Sequence, residues 1–260
     1  MKNLFALSII VFLSTTLFSC KKEASEDPAP AETGSVRVVF EHMVGSDVLE
    51  FNTANTQYIN NVTETFNVTT FKYYVSNVVL IKSNGNEYKV PESYFLIDAS
   101  DEDASLITLN GIPAGNYTDM RFTLGVDSTR NVSGSQTGAL DQANGMFWSW
   151  NNGYIFLKLE GTSPQATGMG NDFMYHIGGF RNLNGTNALQ SIEASFGSDV
   201  LRVTSAGSPQ VHLSVDVSQV LKTPTPIYFS TTPMVHMPGA TAVGVSENYA
   251  DMFTFEHIHN

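Results

Sequence analysis

Residues 145–161 read GMFWSWNNGYIFLKLEG and contain both tryptophans of the chain. The turn signal at residues 151–153 leads into an alternating run, residues 154–159, which predicts a strand. If the backbone before the turn is extended as well, Trp148 and Trp150 project to the same side. Two interpretations of these rings stay open: they anchor the core, because tryptophan buries much apolar area, or they belong to a site beside a turn.

The same alternation recurs along the chain. It predicts half-buried strands at residues 36–43 and 71–82, and shorter strands at residues 94–98, 117–124, 173–179, 192–196, 211–217 and 253–259. Turn signals separate these segments, and helical periodicity is nearly absent apart from a helical turn predicted at residues 246–252. The pattern predicts an all-β fold, a single antiparallel β-sandwich domain with long loops that spans residues 36–260.

The beginning of the chain has the features of an export signal. Lys2 precedes an apolar run that ends at Cys20, which resembles a bacterial lipoprotein signal. We predict a signal peptide at residues 1–19, a lipid on Cys20, and a flexible tether through residue 35, where few apolar side chains occur. The protein is therefore expected in the cell envelope, held to a bacterial membrane, on the periplasmic or surface face of the outer membrane, by lipid alone.

Composition excludes several functional classes. The formal net charge of -12 argues against a nucleic-acid partner. Because Cys20 is the only cysteine, a copper or zinc ion would need histidine, carboxylate or methionine ligands. Neither a phosphate loop, a nucleophile elbow nor an acid–base pair is recognisable by spacing, so we expect a binding protein and not an enzyme.

Four histidines lie on predicted strands where a metal role is a real alternative. His42 shares a face with apolar residues, so it is either a core histidine or a ligand, and His176 lies on the opposite face to Phe173. On the last strand His257 and His259 point the same way, about 7 Å apart along the backbone. They can share a metal if a third ligand comes from elsewhere, or they form a polar strand face.

His212 shares one face of its predicted strand with Ser214 and Asp216. We expect this face to be in contact with solvent.

Five segments together resemble a known family, the MbnP-like copper-binding proteins. They are FEH at residues 40–42, KYYVSNV at 72–78, LGVDS at 124–128, MFWSWNNGY at 146–154 and YHIGG at 175–179. The tryptophan-containing segment is the most specific of them. The lipoprotein signal and the terminal histidines resemble the Bacteroidetes branch of this family.

The resemblance implies a β-sandwich that binds copper. In such proteins a partner dihaem enzyme of the MauG type oxidises a tryptophan to kynurenine, which completes a copper site together with imidazoles. Mapped onto this sequence, the modified residue is Trp148 or Trp150 and the imidazoles are those of His42 and His176. The resemblance therefore predicts that these two histidines meet beside the tryptophans. The chain lacks the paired cysteines of many relatives, so a disulfide cannot brace its site.

Binding of a surface glycan is the alternative to copper binding. In this hypothesis Trp148, Trp150 and Tyr154 form a platform on which sugar rings stack, and copper has no role.

Overall fold

The computed structural model describes residues 32–53, 57–150, 153–181 and 186–260. The predicted signal peptide, Cys20 and nearly all of the predicted tether lie outside the described residues. The strands are, in chain order, β1 (Thr33–Val44), β2 (Asp47–Val48), β3 (Tyr58–Ile59), β4 (Thr65–Ile81), β5 (Glu87–Lys89), β6 (Tyr94–Asp98), β7 (Leu106–Pro113), β8 (Gly115–Tyr117), β9 (Asp119–Leu124), β10 (Phe147–Trp148), β11 (Gly153–Tyr154), β12 (Leu157–Thr162), β13 (Asp172–Ile177), β14 (Gln190–Ser195), β15 (Leu201–Val203), β16 (Gln210–Asp216), β17 (Met234–Val235) and β18 (Phe253–His259). The α-helices are α1 (Ser128–Asn131) and α2 (Ala240–Tyr249).

Most of these strands belong to two sheets. The smaller sheet has five strands in the order β18-β16-β1-β2, and β7 also pairs with β1. The larger sheet has nine strands in the order β14-β9-β4-β12-β13-β17, and β3, β5 and β6 also pair with β4. The short pairs β10 with β11 and β8 with β15 lie outside both sheets.

The two sheets pack face to face through aromatic side chains. Phe40 of β1 contacts Tyr73 of β4 edge to face, with ring centroids 6.0 Å apart, and Phe122 of β9 at 6.5 Å. Phe253 of β18 adds a third ring, 5.1 Å from Phe122. These side chains alternate with outward-facing residues along their strands, as the period of two requires. The predicted all-β sandwich is therefore confirmed.

Two strand pairs are parallel, which the sequence pattern did not predict. β1 pairs with β16 in parallel, and β13 pairs with β17 in parallel. A parallel pair needs a long crossover connection, and the chain between β1 and β16 supplies it, since it contains every strand of the larger sheet except β17. The sandwich is therefore mixed, although antiparallel pairs predominate among the described strands.

The segment around the tryptophans departs from the predicted continuous strand. Residues 154–159 divide between β11 and β12, with Ile155 and Phe156 between them. The Ile155 N–H donates to Met146 O at 3.0 Å, and the Phe156 N–H donates to Ile177 O at 2.6 Å. The chain therefore changes partners here, leaving the β10–β11 hairpin to join the larger sheet.

The predicted helical turn at residues 246–252 is part of a longer helical segment. α2 begins at Ala240, and a 3-10 turn (Ala250–Met252) follows it directly. Within the described residues no helix combines the length and apolar character that crossing a bilayer would require.

Candidate metal centre

Three histidines converge on the outer face of the smaller sheet. β16 and β18 are antiparallel, and their register places His212 opposite His257. The two imidazoles stack with centroids 4.3 Å apart and planes 15° apart. His259 lies two residues further along β18, on the same side, with its ring 4.7 Å from that of His257. We call these three residues the histidine cluster.

The geometry of the histidine cluster suits a metal ion. One ligand atom from each of the three side chains can be chosen so that all lie within 4.8 Å of one another. Imidazole nitrogens bind zinc at about 2.0–2.1 Å, so nitrogens around one such ion are at most about 4.2 Å apart. His257 and His259 are exposed, and rotation of their side chains can make up the difference. Their Nε2 atoms already lie 3.1 Å apart.

A bulge in β18 makes this arrangement compatible with burial of its apolar residues. The register shifts between the pair His212 with His257 and the pair Leu213 with Phe255, so Glu256 has no partner residue in β16. An extra residue of this kind re-aims the side chains that follow it. Phe255 and Ile258 consequently both pack against the core, while His257 and His259 face outward.

Glu41 of β1 forms a hydrogen bond with the imidazole of His212. Its Oε1 lies 2.7 Å from Nδ1 of His212. Because a carboxylate can only accept, Nδ1 carries a proton, and in the neutral imidazole Nε2 then has the free lone pair. A carboxylate behind a histidine is the arrangement that commonly orients metal-ligating imidazoles in proteins.

The Nε2 atom of His212 provides the most specific evidence that the histidine cluster fits a ligand. It is buried and has no hydrogen-bond partner among the described residues. A buried polar atom without a partner costs free energy, so native structures rarely retain one unless a water or an ion serves it. Three nitrogen donors without sulfur suit copper or zinc. The residues present therefore fit a metal ion of this kind.

His42 lies on the opposite face of the same sheet and belongs to the core. Its Nε2 is 3.1 Å from the Tyr73 hydroxyl, and its ring packs edge to face against Phe71. Burial lowers the pKa of His42 to about 4, although Asp98 opposes the shift. The imidazole is therefore neutral and has a partner.

His176 lies on the outer face of the larger sheet. Its Nε2 is 2.6 Å from Oε1 of Glu160 on the neighbouring strand β12. This hydrogen bond is the main reason that the pKa of Glu160 lies below its ordinary value. His176 thus forms an ion pair with the Glu160 carboxylate whenever the imidazole is protonated.

The structure does not bring His42 and His176 together. Tyr73, which His42 contacts, points inward from β4, whereas Lys72 points outward, and the register places Lys158 beside both Lys72 and His176. The larger sheet therefore separates the two imidazoles, and the expectation that they meet beside the tryptophans does not hold.

The two tryptophans contact each other in very different surroundings. Trp148 is 5% exposed and Trp150 is 58% exposed, and their ring centroids lie 5.7 Å apart. Extended backbone ends at Trp148, so the assumption of a strand through Trp150 does not hold. Trp148 packs on Gly178, at the end of β13 in the larger sheet. The tryptophans thus lie beside the larger sheet, whereas the histidine cluster belongs to the smaller one.

His212 is the residue that sequence reasoning missed. The sequence placed it correctly on an outward face but gave no reason to separate it from Ser214 and Asp216. The proximity of His212 to Glu41 and His257 depends on the pairing of β16 with β1 and β18. A single sequence does not show this pairing. His212 thereby lies where a third ligand beside His257 and His259 would have to lie.

Comparison with known proteins agrees with the architecture. The sequence pattern of the MbnP family matches residues 33–238. The structure of MbnP from Methylosinus trichosporium is similar, with a TM-score of 0.50 and 14% sequence identity over 73% of this chain and 78% of that one. No curated protein matches the sequence. His212 lies inside the matched range, whereas His257 and His259 lie beyond its end.

Proposed function

The chain belongs to the MbnP family, and from this premise we propose that it is a copper-binding protein of the cell envelope whose ligands are His212, His257 and His259. The observation that carries this assignment is the buried Nε2 of His212, which has no hydrogen-bond partner in the part of the chain that the structure describes. Membership of the family associates the chain with methanobactin-related, copper-associated proteins, and three clustered imidazoles are a suitable donor set for copper.

The exposure of the site favours uptake and release of copper. Three side-chain nitrogens leave at least one coordination position of a four-coordinate ion open. His257 and His259 face solvent, so an incoming chelator or acceptor protein can reach the ion from outside. Storage, scavenging or delivery is consistent with such a site. The surplus of acidic residues raises the concentration of cations near the surface.

Location in the envelope is part of the proposal. It is supported by the apolar segment before Cys20 and by the charged and small residues that follow it. A lipid on Cys20 would hold the domain at a membrane, on a tether that leaves the histidine cluster accessible.

Oxidation of Trp148 or Trp150 to kynurenine by a MauG-like dihaem partner is a separate part of the proposal, because Trp148 lies against the end of a strand of the larger sheet and the histidine cluster lies on the smaller one. The exposed indole of Trp150 supports it, since an external oxidant can approach that ring. Peptide mass spectrometry of residues 145–158 from the native host tests this step. We expect one tryptophan with one carbon replaced by one oxygen in mass, and two intact tryptophans would contradict it.

Copper titration of the double variant His257→Ala/His259→Ala tests the site itself. Both side chains are exposed, so the fold should survive, as circular dichroism can verify. We expect one tightly bound copper per unaltered chain and none in the double variant. His236→Ala is the matched control, because His236 is also exposed but lies outside the histidine cluster. Unchanged copper binding in the double variant would refute the assignment.

A further inference from the structure

A cleft lies beside the two tryptophans, away from the histidine cluster. Its cavity has a volume of about 260 Å³. Apolar surface comes from Trp148, Phe180 and Pro238, and polar groups come from Arg181 and Thr186. A few polar groups among apolar and aromatic side chains are typical of small-molecule sites.

Two consecutive glycines, Gly178 and Gly179, allow close contact between the chain and residues that line this cleft. A Cβ atom on Gly178 would lie 2.9 Å from the Trp148 ring and 2.5 Å from Tyr154 O. Gly179 has φ +126, and a Cβ there would lie 2.2 Å from Thr186 O. No other residue type fits either position without displacing backbone. The flat face of Trp148 is thus seated directly against the chain.

Trp150 extends the aromatic surface out to solvent. More than half of its side chain is exposed, 58%, while its ring remains 5.7 Å from that of the buried Trp148. A large exposed indole next to a cavity is typical of ligand contact, since tryptophan combines wide apolar area with a hydrogen-bond donor.

Arg181 brings a positive charge to the cleft. Among the described residues no carboxylate forms an ion pair with it, in a chain whose net charge is -12. Its guanidinium lies 4.9 Å from the centre of the Phe180 ring. The same arginine also lines a second cavity of about 400 Å³, together with Gln142, Ser135 and Phe147. Arg181 therefore stands between two adjoining cavities that offer aromatic, amide and hydroxyl groups.

We propose that these two cavities bind an acidic saccharide, an oligosaccharide that contains uronic acid. The apolar face of a sugar ring stacks on the tryptophan surface, and its hydroxyl edge meets the amide and hydroxyl groups. The carboxylate of the uronic acid accepts paired hydrogen bonds from the Arg181 guanidinium. Two cavities in succession suit an oligosaccharide better than a single small acid. This proposal does not depend on the histidine cluster and survives its failure as a copper site; it concerns the chain in which both indoles are intact.

Calorimetric titration of the metal-free, full mature chain tests the proposal, with trigalacturonate and neutral maltotriose as probes. We expect trigalacturonate to bind more tightly and to change tryptophan fluorescence. Arg181→Gln should weaken trigalacturonate binding by about tenfold to a hundredfold and leave maltotriose binding unchanged. Trp150→Ala should weaken the binding of both sugars.

Arg202→Gln is the control, since Arg202 is an exposed arginine on β15, away from the cleft. It should bind both sugars as the unaltered protein does. Equal affinity of the unaltered protein for the two sugars, or no binding of either, would overturn the proposal. An Arg181→Gln variant that keeps full affinity for trigalacturonate would overturn it as well.

Discussion

Glu41 and His42 are neighbours on β1, and their side chains lie on opposite faces of the smaller sheet. Glu41 points outward and orients His212, whose Nε2 has no hydrogen-bond partner within the described ranges of the chain. His42 points inward, where the Tyr73 hydroxyl satisfies its imidazole and aromatic rings enclose it. His42 and His212 both lie on strands of the smaller sheet. Of these two, His212 on the outer face is the one that lies beside other described histidines. The face of the strand, more than the residue type, decides between a metal ligand and a core residue.

The inner face also explains why the histidine there is a poor ligand. A metal ion at His42 would bring its charge into the sandwich beside Phe71 and Tyr73, where the described residues offer no second imidazole to share it. The outer face offers three imidazoles and contact with water, so the same ion is stabilised there at less cost.

The largest expected effect comes from removing the oriented imidazole of the outer face. His212→Ala should lower copper affinity by roughly a hundredfold to a thousandfold, because zinc-finger binding free energies of about 10–16 kcal/mol over four ligands imply about 2.5–4 kcal/mol each. Competition with a chromophoric copper chelator measures this. Unchanged copper affinity of His212→Ala would contradict the assignment of the metal site to the outer face.

The inner face should show a pH effect on stability of nearly the same size. The unfolded chain protonates His42 near pH 6.5, whereas the folded chain protonates it only near its pKa of about 4. The unfolded state thus binds more protons in this window, and stability falls as the pH drops from 6.5 to 4, by about 3 kcal/mol from this residue. Urea unfolding of the unaltered protein and of His42→Asn, at several pH values, isolates the contribution. Identical pH slopes for the two proteins would contradict the buried, neutral imidazole.

A smaller effect should come from the residue that positions His212. Glu41→Gln keeps a hydrogen-bond acceptor but loses the charge, and copper affinity should fall by about tenfold to a hundredfold. The nitrogen coupling in the electron paramagnetic resonance spectrum of bound Cu(II) should change with it. Glu193→Gln is a suitable control, since that carboxylate lies on β14 of the larger sheet. Equal affinities of the two variants would mean that Glu41 has no positioning role.

The smallest effect on copper should come from His176. We expect His176→Ala to bind copper with unchanged affinity, because this imidazole pairs with Glu160 on the larger sheet. Loss of that hydrogen bond should raise the pKa of Glu160, which carbon-detected NMR titration of the carboxyl group can follow. A clear loss of copper affinity in this variant would indicate that His176 is a copper ligand.

Strands of the fold could be predicted from the alternation of apolar and polar residues along the sequence. The run from Val36 to Met43 predicted a strand with His42 on the apolar side, and the structure has β1 with His42 buried. The common side of His257 and His259 also follows from the period of two. These properties are local, so a single sequence displays them.

The parts that could not be predicted depend on pairing between distant strands. The parallel register of β1 with β16 brings Glu41 to His212, across 171 residues of sequence. The bulge at Glu256 decides which side chains of β18 face outward together with His212. Neither feature leaves a periodic mark, because both arise from the partner strand. The resemblance identified the family, but the geometry moves the candidate ligands away from His42 and His176.

Anomalous diffraction at the copper absorption edge, from crystals grown with copper, tests the central claim most directly. We predict one strong peak on the outer face of the smaller sheet, about 2 Å from a nitrogen of each of His212, His257 and His259. A peak beside Trp148 and Trp150, or at His42 or His176, with none at the histidine cluster would contradict the account.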